Sequence, residues 1–298
     1  MKATYTLKHL KYFIAVAKYQ HFGQAADACF VTQPTLSAAI KEFEEILGLQ
    51  LLERTKRSVL ITPTGKEVLA RAQEIVVQAD GLMEMAKTKG SPLTGELRLG
   101  VIPTIGPYLL PQIMQNIRSH FPDLTLYLKE DQTERLLESL KEGQLDVLIL
   151  ALPYESDAIE TSIFMQDDFF CAVPADHALA SNSHIENAEI VEENLLLLEE
   201  GHCLRDHAMA ACSWAGAKNI NEFGATSLST IVQMVANGLG ITLLPKMAID
   251  AGITRGTDLA TLPLSKDSPP RDIGLVWRKT SGRGDEFTTL AKFLQEMH

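Results

Sequence analysis

Two cysteines, Cys203 and Cys212, are the side chains of this sequence best suited to chemistry. Cys203 follows a short apolar strand signal and lies in the segment GHCLRD, where a loop is expected to turn into a helix. A helix N-terminus and cationic neighbours lower the pKa of a thiol, and the thiolate is the form that attacks peroxides and disulfides. The neighbours His202, Arg205 and His207 therefore predict an ionised, reactive Cys203.

The spacing of the two cysteines predicts a switch rather than a permanent disulfide. Within one helix, their separation of nine residues would correspond to a rise of about 13 Å and place the sulfurs on opposite faces. A disulfide requires Cα atoms within about 7 Å of each other. Cys203 and Cys212 can therefore pair only if their segment is remodelled. The alternative is that both are inert, because free cysteines commonly behave as small buried hydrophobic side chains.

Composition limits the classes of protein that this chain can represent. Its 298 residues are 46% hydrophobic, which is enough for two or three compact units. Four cysteines without an N-terminal apolar signal segment predict a reducing cytoplasm, where disulfides are transient. No apolar run approaches about 18 residues, so no membrane span is expected. The absence of C-x-x-C and H-E-x-x-H patterns predicts no metal, and no cofactor is expected.

Charge is distributed unevenly along the chain. The whole sequence has a net charge of −11, yet residues 1–65 contain eight Lys and Arg against five Asp and Glu. A basic N-terminal segment on an acidic body concentrates the attraction for phosphates at one end of the molecule. This distribution favours nucleic-acid binding by the first 65 residues alone.

The N-terminal pattern predicts a winged helix-turn-helix. A third helix is expected between Thr32, which can cap it, and Gly48, which ends it. One face of that helix is apolar, and the opposite face carries small and polar groups suited to base edges in a major groove. A hairpin follows as a wing that directs cations toward phosphates. The predicted DNA-binding residues are Thr32, Gln33, Pro34, Thr35, Ser37, Lys41, Arg54, Lys56 and Arg57. Helix-turn-helix shapes and basic hairpins also occur in proteins that do not bind DNA.

A long helix is predicted after the wing, between Lys66 and Lys87. Apolar residues recur there in steps of four and three, at Val68, Ala72, Ile75, Ala79, Leu82 and Ala86. Such a stripe favours pairing with a second copy, which would place two DNA-binding heads on one two-fold axis and imply a pseudo-palindromic site. The alternative is a helix packed on its own chain.

Beyond a hinge at residues 90–92, strand and helix signals alternate in the manner of a parallel, helix-covered sheet. The pattern repeats once and ends with a strand and a helix that return to the first repeat. We therefore expect a DNA-binding domain at 1–65, a linker or dimerisation helix at 66–90 and a regulatory domain at 91–298. Its first lobe would comprise about 91–166 and 268–298, and its second lobe about 167–267.

Several motifs resemble one family closely. The segments FGQAA at 22–26, VTQPTLS at 31–37, LER at 52–54 and TPTG at 62–65 resemble the winged helix-turn-helix of LysR-type transcriptional regulators. The run VANGLGITLLP at 235–245 is also typical of that family. The resemblance implies a regulatory domain of two Rossmann-like α/β lobes, similar to periplasmic binding proteins, that follows the N-terminal head and a long linker helix.

Within that family the chain resembles the peroxide-sensing OxyR branch over essentially its whole length. The matching segments are IPTIGPYLLP at 102–111, QT at 132–133, GHCLRD at 201–206, Cys212 and ATSL at 225–228. The resemblance implies that Cys203 is the peroxidatic thiol and Cys212 the resolving thiol. It also implies a peroxide site lined by Thr104, Thr133, His202 and Arg205, with Asp206 and Arg271 in support.

The same resemblance implies a set of partners. These are promoter DNA, RNA polymerase, further copies of the chain in a homodimer or homotetramer, hydrogen peroxide as the signal, and glutaredoxin or thioredoxin as reductant. Two positions depart from the branch, because Glu222 stands where a histidine is expected and Ser229 where a glutamate is expected. These departures concern the sensitivity to peroxide more than the identity of the sensor.

Three other functions compete with a peroxide-responsive regulator. A LysR-type regulator could instead bind a small organic anion between its lobes, with incidental cysteines. A thiol-dependent peroxidase would use the same Cys203, but the DNA-binding head argues against an enzyme. A solute-binding protein would share the two lobes, but the missing signal segment argues against it.

Overall fold

The computed structural model describes residues 4–54, 59–87, 92–154, 156–211, 220–225, 227–265 and 268–297. They form an N-terminal unit, which ends with a long helix, and a C-terminal unit that comprises most of the residues from 92 onward. Within the described parts, no helix is both long and apolar enough to cross a membrane.

The N-terminal unit is a winged helix-turn-helix followed by a long helix. Its elements are α1 (Leu7–Tyr19), α2 (Phe22–Ala28), α3 (Gln33–Leu47), the antiparallel pair β1 (Leu52–Arg54) and β2 (Val59–Ile61), and α4 (Pro63–Lys87). The apolar face predicted for α3 is confirmed, since Leu36, Ile40 and Phe43 are buried in one cluster with Phe13 of α1. This packing fixes the direction of α3 and leaves its polar face open.

Local sequence signals determine where α3 begins and ends. Thr32 Oγ1 accepts a hydrogen bond from the Thr35 amide at 3.4 Å, and Pro34 occupies the first turn. Gly48 ends the helix with a φ of +66°, a conformation that favours glycine. The turn before the helix holds Phe30 at a φ of +56° with its side chain 96% exposed.

Helix α4 begins three residues earlier than predicted, at Pro63. Part of its apolar stripe packs on the chain's own head, because Ala72 is buried in the core of the N-terminal unit and Val68 packs against that core. Ile75 and Leu82 are exposed. The self-packed alternative is thus realised for the first half of the stripe.

The first lobe of the C-terminal unit is a five-stranded sheet with three helices. Its elements are β3 (Gly95–Val101), α5 (Gly106–His120), β4 (Leu124–Glu130), α6 (Thr133–Lys141), β5 (Val147–Leu152), β6 (Ile159–Asp167), β12 (Arg271–Arg278) and α11 (Gly284–Gln295). The strand order is β4-β3-β5-β12-β6. The prediction of a parallel sheet is wrong at one position, since β12 is antiparallel to both neighbours. The reason is that the chain leaves the first lobe at the end of β6 and returns at that same end, so β12 runs opposite to β6.

The second lobe lies between β6 and β12 in sequence. It contains β7 (Phe169–Pro174), α7 (Asn187–Val191), β8 (Leu195–Leu198), α8 (Cys203–Ala211), β9 (Ile220–Ala225), α9 (Leu228–Ala236), β10 (Thr242–Pro245), α10 (Lys246–Asp250) and β11 (Leu259–Pro263). Strands β10, β7 and β11 form an antiparallel sheet, whereas β8 and β9 are parallel. Among the described strands of the second lobe, the predicted parallel pairing is therefore confirmed for β8 and β9, whereas the sheet of β10, β7 and β11 is antiparallel. Each lobe has its own buried apolar cluster.

Gly100 offers a test of how tightly the first lobe is packed. A Cβ atom at this position of β3 would lie 2.6 to 2.9 Å from the methyl groups of Leu148, Leu145 and Leu136. We expect Gly100→Ala to lower the free energy of unfolding by about 1–3 kcal/mol, because extra volume in a filled core forces its neighbours aside. Urea unfolding followed by circular dichroism measures this change.

Gly284→Ala is the matched control, since a Cβ there meets nothing closer than Trp277 Nε1 at 3.4 Å. We expect this change to stay within about 0.5 kcal/mol of the wild type. Equal stability of the two variants would contradict the close packing between β3 and α6.

Candidate redox site and nucleic-acid interface

Cys203 is the first residue of α8, and the predicted transition from loop to helix is confirmed at this position. Gly201, two residues earlier, has a φ of +91°, which favours glycine and lets the chain turn sharply after β8. Leu204 and Ala208 of the same helix are buried in the second-lobe core. The Cys203 side chain instead packs against the core of the first lobe. One helix therefore holds its thiol across the boundary between the lobes.

The thiol faces a small cavity, which we call the Cys203 cavity. Its empty volume is about 170 Å³, and it is too narrow to admit a water-sized molecule as it stands. Residues of both lobes line it, namely Ile102, Pro103, Thr104, Gln132, Thr133, Gly201, His202 and Cys203. Four of the predicted site residues, Cys203 and the side chains at positions 104, 133 and 202, thus meet at one point.

Two threonines give the Cys203 cavity its polar character. Thr133 begins α6, and its buried Oγ1 has no hydrogen-bond partner of good geometry among the described residues. The hydroxyl still lies near enough to the thiol to lower the pKa of Cys203. Thr104 Oγ1 accepts a hydrogen bond from Arg271 at 3.3 Å. A buried hydroxyl without a partner is costly, so the Thr133 side chain is suited to a ligand that can bind it.

A fully buried ion pair contacts Thr104 from outside the lining of the Cys203 cavity. Arg271 Nε and Nη2 donate to Asp167 Oδ2 at 2.9 and 2.8 Å, and the two side chains are 0% and 1% exposed. Arg271 also donates to the Thr104 carbonyl oxygen at 3.1 Å. Asp167 Oδ1 accepts from the Met247 amide in α10 at 2.9 Å. Burial raises the pKa of the Asp167 carboxyl, and Arg271 and the Met247 amide act in the opposite direction.

The predicted ionisation of Cys203 is wrong for this conformation. Burial raises the pKa of the Cys203 thiol, and Asp206 adds to the increase, whereas Thr133 and Arg271 act to lower it. Burial also lowers the pKa of His202 and His207, so both imidazoles favour the neutral form. The cation that acts on the thiol is therefore Arg271 rather than the neighbours of Cys203 in sequence.

The remaining predicted site residues lie outside the Cys203 cavity lining. Arg205 donates to the Leu198 carbonyl oxygen at 3.2 Å and so ties α8 to the end of β8. Asp206 is exposed, and Arg271 lies behind Thr104. Cys212 falls outside the described residues, Glu222 lies in β9, and Ser229 is exposed in α9.

An open inter-lobe cleft borders the Cys203 cavity and shares Pro103, Thr104, Gln132 and His202 with it. Its empty volume is about 1030 Å³. The cleft lining carries the carboxylates of Glu130, Asp131 and Glu199 against one cation, Arg135, which pairs with Asp131 at 3.5 Å. This negative charge disfavours the alternative of a small organic anion bound between the lobes.

The nucleic-acid interface has the predicted exposure along α3. Thr32, Gln33, Pro34, Thr35 and Lys41 are exposed, and Ser37 is half-buried. Lys41 forms a 3.6 Å ion pair with Glu45 that solvent screens. Arg54 ends β1, while Lys56 and Arg57 fall outside the described residues. The face opposite the buried stripe is therefore available for base contacts.

Sequence reasoning missed two residues of the site. Gln132 lines both the Cys203 cavity and the cleft, with its Nε2 at 3.5 Å from His202 Nε2. Asp167 is a charge at the end of β6 that becomes buried. The one available signal was an acidic pair, Asp167 and Asp168, immediately before an apolar strand.

Thr133→Val tests the electrostatics of the Cys203 cavity. The change keeps the side-chain volume and removes the hydroxyl that lowers the pKa of the Cys203 thiol. In the wild type, we expect the pH midpoint of Cys203 alkylation to lie above the ordinary cysteine value of about 8.5. It should lie higher still in Thr133→Val, measured by iodoacetamide labelling and peptide mass spectrometry. Thr161→Val, on an exposed position of β6, should leave the midpoint unchanged. A wild-type midpoint near pH 7 would contradict the buried, neutral thiol.

Comparisons with known proteins agree with this arrangement. Residues 7–66 match the bacterial regulatory helix-turn-helix protein model of the lysR family, and residues 90–298 match the LysR substrate binding domain. The DNA-binding transcriptional dual regulator OxyR of Escherichia coli K12 is 43% identical over 290 residues, which cover 97% of this chain and 94% of that protein.

Two solved structures are similar over nearly the whole chain. A full-length OxyR from Pseudomonas aeruginosa, with one cysteine replaced by aspartate, has a TM-score of 0.80 at 35% identity and covers 98% of this chain and 95% of its own. A cysteine-to-serine variant of Corynebacterium glutamicum OxyR, with hydrogen peroxide bound, has a TM-score of 0.67 at 36% identity and covers 100% and 94%. The chain therefore belongs to the LysR family of bacterial helix-turn-helix regulatory proteins, and within it to the OxyR branch.

Proposed function

We propose that this chain is a DNA-binding transcriptional regulator that responds to hydrogen peroxide through Cys203. The observation that carries the proposal is the Cys203 cavity, where a thiol held across the lobe boundary faces the unpartnered hydroxyl of Thr133. The names of the similar proteins support the signal, since one of them binds hydrogen peroxide in its solved structure.

The chemistry requires two balanced steps. Sγ of Cys203 attacks one oxygen of hydrogen peroxide, the S–O bond forms as the O–O bond breaks, and the thiol proton leaves with the second oxygen as water. The resulting sulfenic acid then reacts with the thiol of Cys212, which forms a disulfide and releases a second water. Hydrogen peroxide is the oxidant in both steps taken together, and glutaredoxin or thioredoxin would restore the two thiols.

The residues around the thiol have distinct roles in this scheme. Once the cavity widens to admit hydrogen peroxide, Thr104 and Thr133 would hold its two oxygens, and His202 lines the same cavity. Arg271 would favour the thiolate as the proton leaves, while Arg205 and Asp206 act from outside the lining. Because burial raises the pKa of Cys203, the resting thiol reacts slowly with general electrophiles, and the bound peroxide must supply the activation.

Disulfide formation would act on the lobes through α8. Leu204 and Ala208 anchor that helix in the second lobe, whereas Cys203 packs on the first. Bonding to Cys212 would require remodelling of the segment between the two cysteines and would remove the Cys203 sulfur from the first lobe. A difference of a few kcal/mol between the two arrangements shifts their populations by a hundredfold or more.

The disulfide would change how the protein binds promoter DNA. Helix α3 and the wing contact each half-site, and pairing of two or four copies sets the spacing between the heads. Redocking of the lobes changes that spacing and, with it, the recruitment of RNA polymerase. The domain limits at about residues 65 and 90 separate the head, the linker helix and the sensor in this scheme.

Cys203→Ser tests the proposed function directly. We expect the wild-type footprint on a target promoter to change after addition of hydrogen peroxide, and the Cys203→Ser footprint to be identical with and without it. The reason is that serine cannot form the sulfenic acid or the disulfide. DNase I footprinting under anaerobic and oxidised conditions measures the difference.

Cys171→Ala is the matched control, because Cys171 is a fully buried cysteine of β7 that does not line the Cys203 cavity. This variant should respond to peroxide as the wild type does. A peroxide response that survives in Cys203→Ser would refute the role assigned to this thiol.

A further inference from the structure

Asp167 stands at the point where the chain leaves the first lobe, and Arg271 at the point where it returns. Asp167 is the last residue of β6 and Arg271 is the first residue of β12. Their side chains meet at 2.8 and 2.9 Å with almost no exposure to solvent. The ion pair therefore joins both crossings between the lobes.

The same pair reaches one residue on either side of the lobe boundary. On the first-lobe side, Arg271 donates to the hydroxyl and the carbonyl oxygen of Thr104, which lines the Cys203 cavity. On the second-lobe side, Asp167 accepts from the Met247 amide at the start of α10. Each of the five polar contacts described here involves either the Asp167 carboxylate or the Arg271 guanidinium.

We propose that Asp167 is a positioning residue of the Cys203 site, because its carboxylate holds Arg271 in the place from which the guanidinium orients Thr104 and acts on the thiol. This inference rests on the proposed peroxide response and assigns a further residue to the same site. Among the described residues, Asp167 does not belong to the lining of the Cys203 cavity, and Arg271 links it to Thr104 of that lining.

The groups that act on the pKa of the Cys203 thiol indicate what loss of the Asp167 carboxylate should change. Arg271 from β12 acts to lower the pKa of the thiol and Asp206 from α8 acts to raise it. Thr133 from α6 adds a hydroxyl that also lowers it, and the neighbouring His202 and His207 favour the neutral form. Without Asp167, the positive charge of Arg271 is no longer neutralised by its partner, while Thr104 loses a fixed donor.

Asp167→Asn separates these two consequences. The peroxide reaction depends on Thr104, so its rate at Cys203 should fall by about tenfold or more relative to the alkylation rate, because small displacements in such sites have large kinetic effects. Iodoacetamide does not use the threonines, and the pH midpoint of its reaction with Cys203 should shift downward as the cation becomes uncompensated. Both reactions are followed on the full-length protein by peptide mass spectrometry.

Asp146→Asn is the matched control. Asp146 is likewise buried and paired with an arginine, Arg98 at 2.7 Å, but it lies outside the Cys203 cavity lining. The Asp146 carboxylate is similarly buried, although the Arg98 side chain is 39% exposed. This variant should keep the wild-type ratio of the two rates and the wild-type midpoint. General loosening of the fold would instead expose the thiol and accelerate both reactions in both variants.

The outcomes distinguish this proposal from the proposed function. If wild-type Cys203 does not react with hydrogen peroxide, the proposed function fails, and the alkylation midpoint of Asp167→Asn alone decides whether Asp167 acts on the thiol. If the rate ratio and the midpoint of Asp167→Asn match those of Asp146→Asn and the wild type, Asp167 has no positioning role.

Discussion

The buried ion pair of Arg271 and Asp167 is the constraint on which the sensor depends. It links the two strands that connect the lobes, and through Thr104 it sets one wall of the Cys203 cavity. A buried pair that loses one partner leaves an uncompensated charge, at a cost of about 3–5 kcal/mol. The same ion pair therefore contacts both inter-lobe connections and a residue of the cavity wall. In the proposed scheme, a change in the docking of the lobes would alter the environment of the thiol, and oxidation of the thiol would alter the docking.

The second constraint is the placement of Cys203 at the N-terminus of a helix that belongs to the other lobe. Apolar residues of α8 are fixed in the second-lobe core, and the sulfur contributes to the core of the first lobe. In the proposed function, oxidation would replace that apolar contact by a covalent bond to Cys212. Burial raises the pKa of the Cys203 thiol, and in the proposed function the hydroxyls of Thr104 and Thr133 would bind and align the peroxide. Selectivity in this scheme comes from binding rather than from a permanently ionised sulfur.

Local features of the site were accessible from the sequence, and distant ones were not. The cap at Thr32, the end of α3 at Gly48 and the start of a helix at Cys203 follow from neighbouring residues, and the structure contains all three. The charge state of His202 was predicted wrongly, because burial is set by packing and not by neighbours in the chain. The pairing of Arg271 with Asp167 joins positions 104 residues apart and leaves no local signal. The antiparallel β12 escaped prediction for the same reason, since its direction depends on where the second lobe returns the chain.

In the proposed function, Cys203 becomes oxidised and then bonds to Cys212. Peptide mapping by mass spectrometry after addition of one equivalent of hydrogen peroxide, without reductant, tests both steps. We expect a cross-linked product that contains both cysteines and is lighter by two hydrogens than the separate thiols. When Cys212 is replaced by serine, we expect a trapped sulfenic acid on Cys203. Oxidation confined to Cys29 or Cys171, with Cys203 recovered as a free thiol, would contradict it.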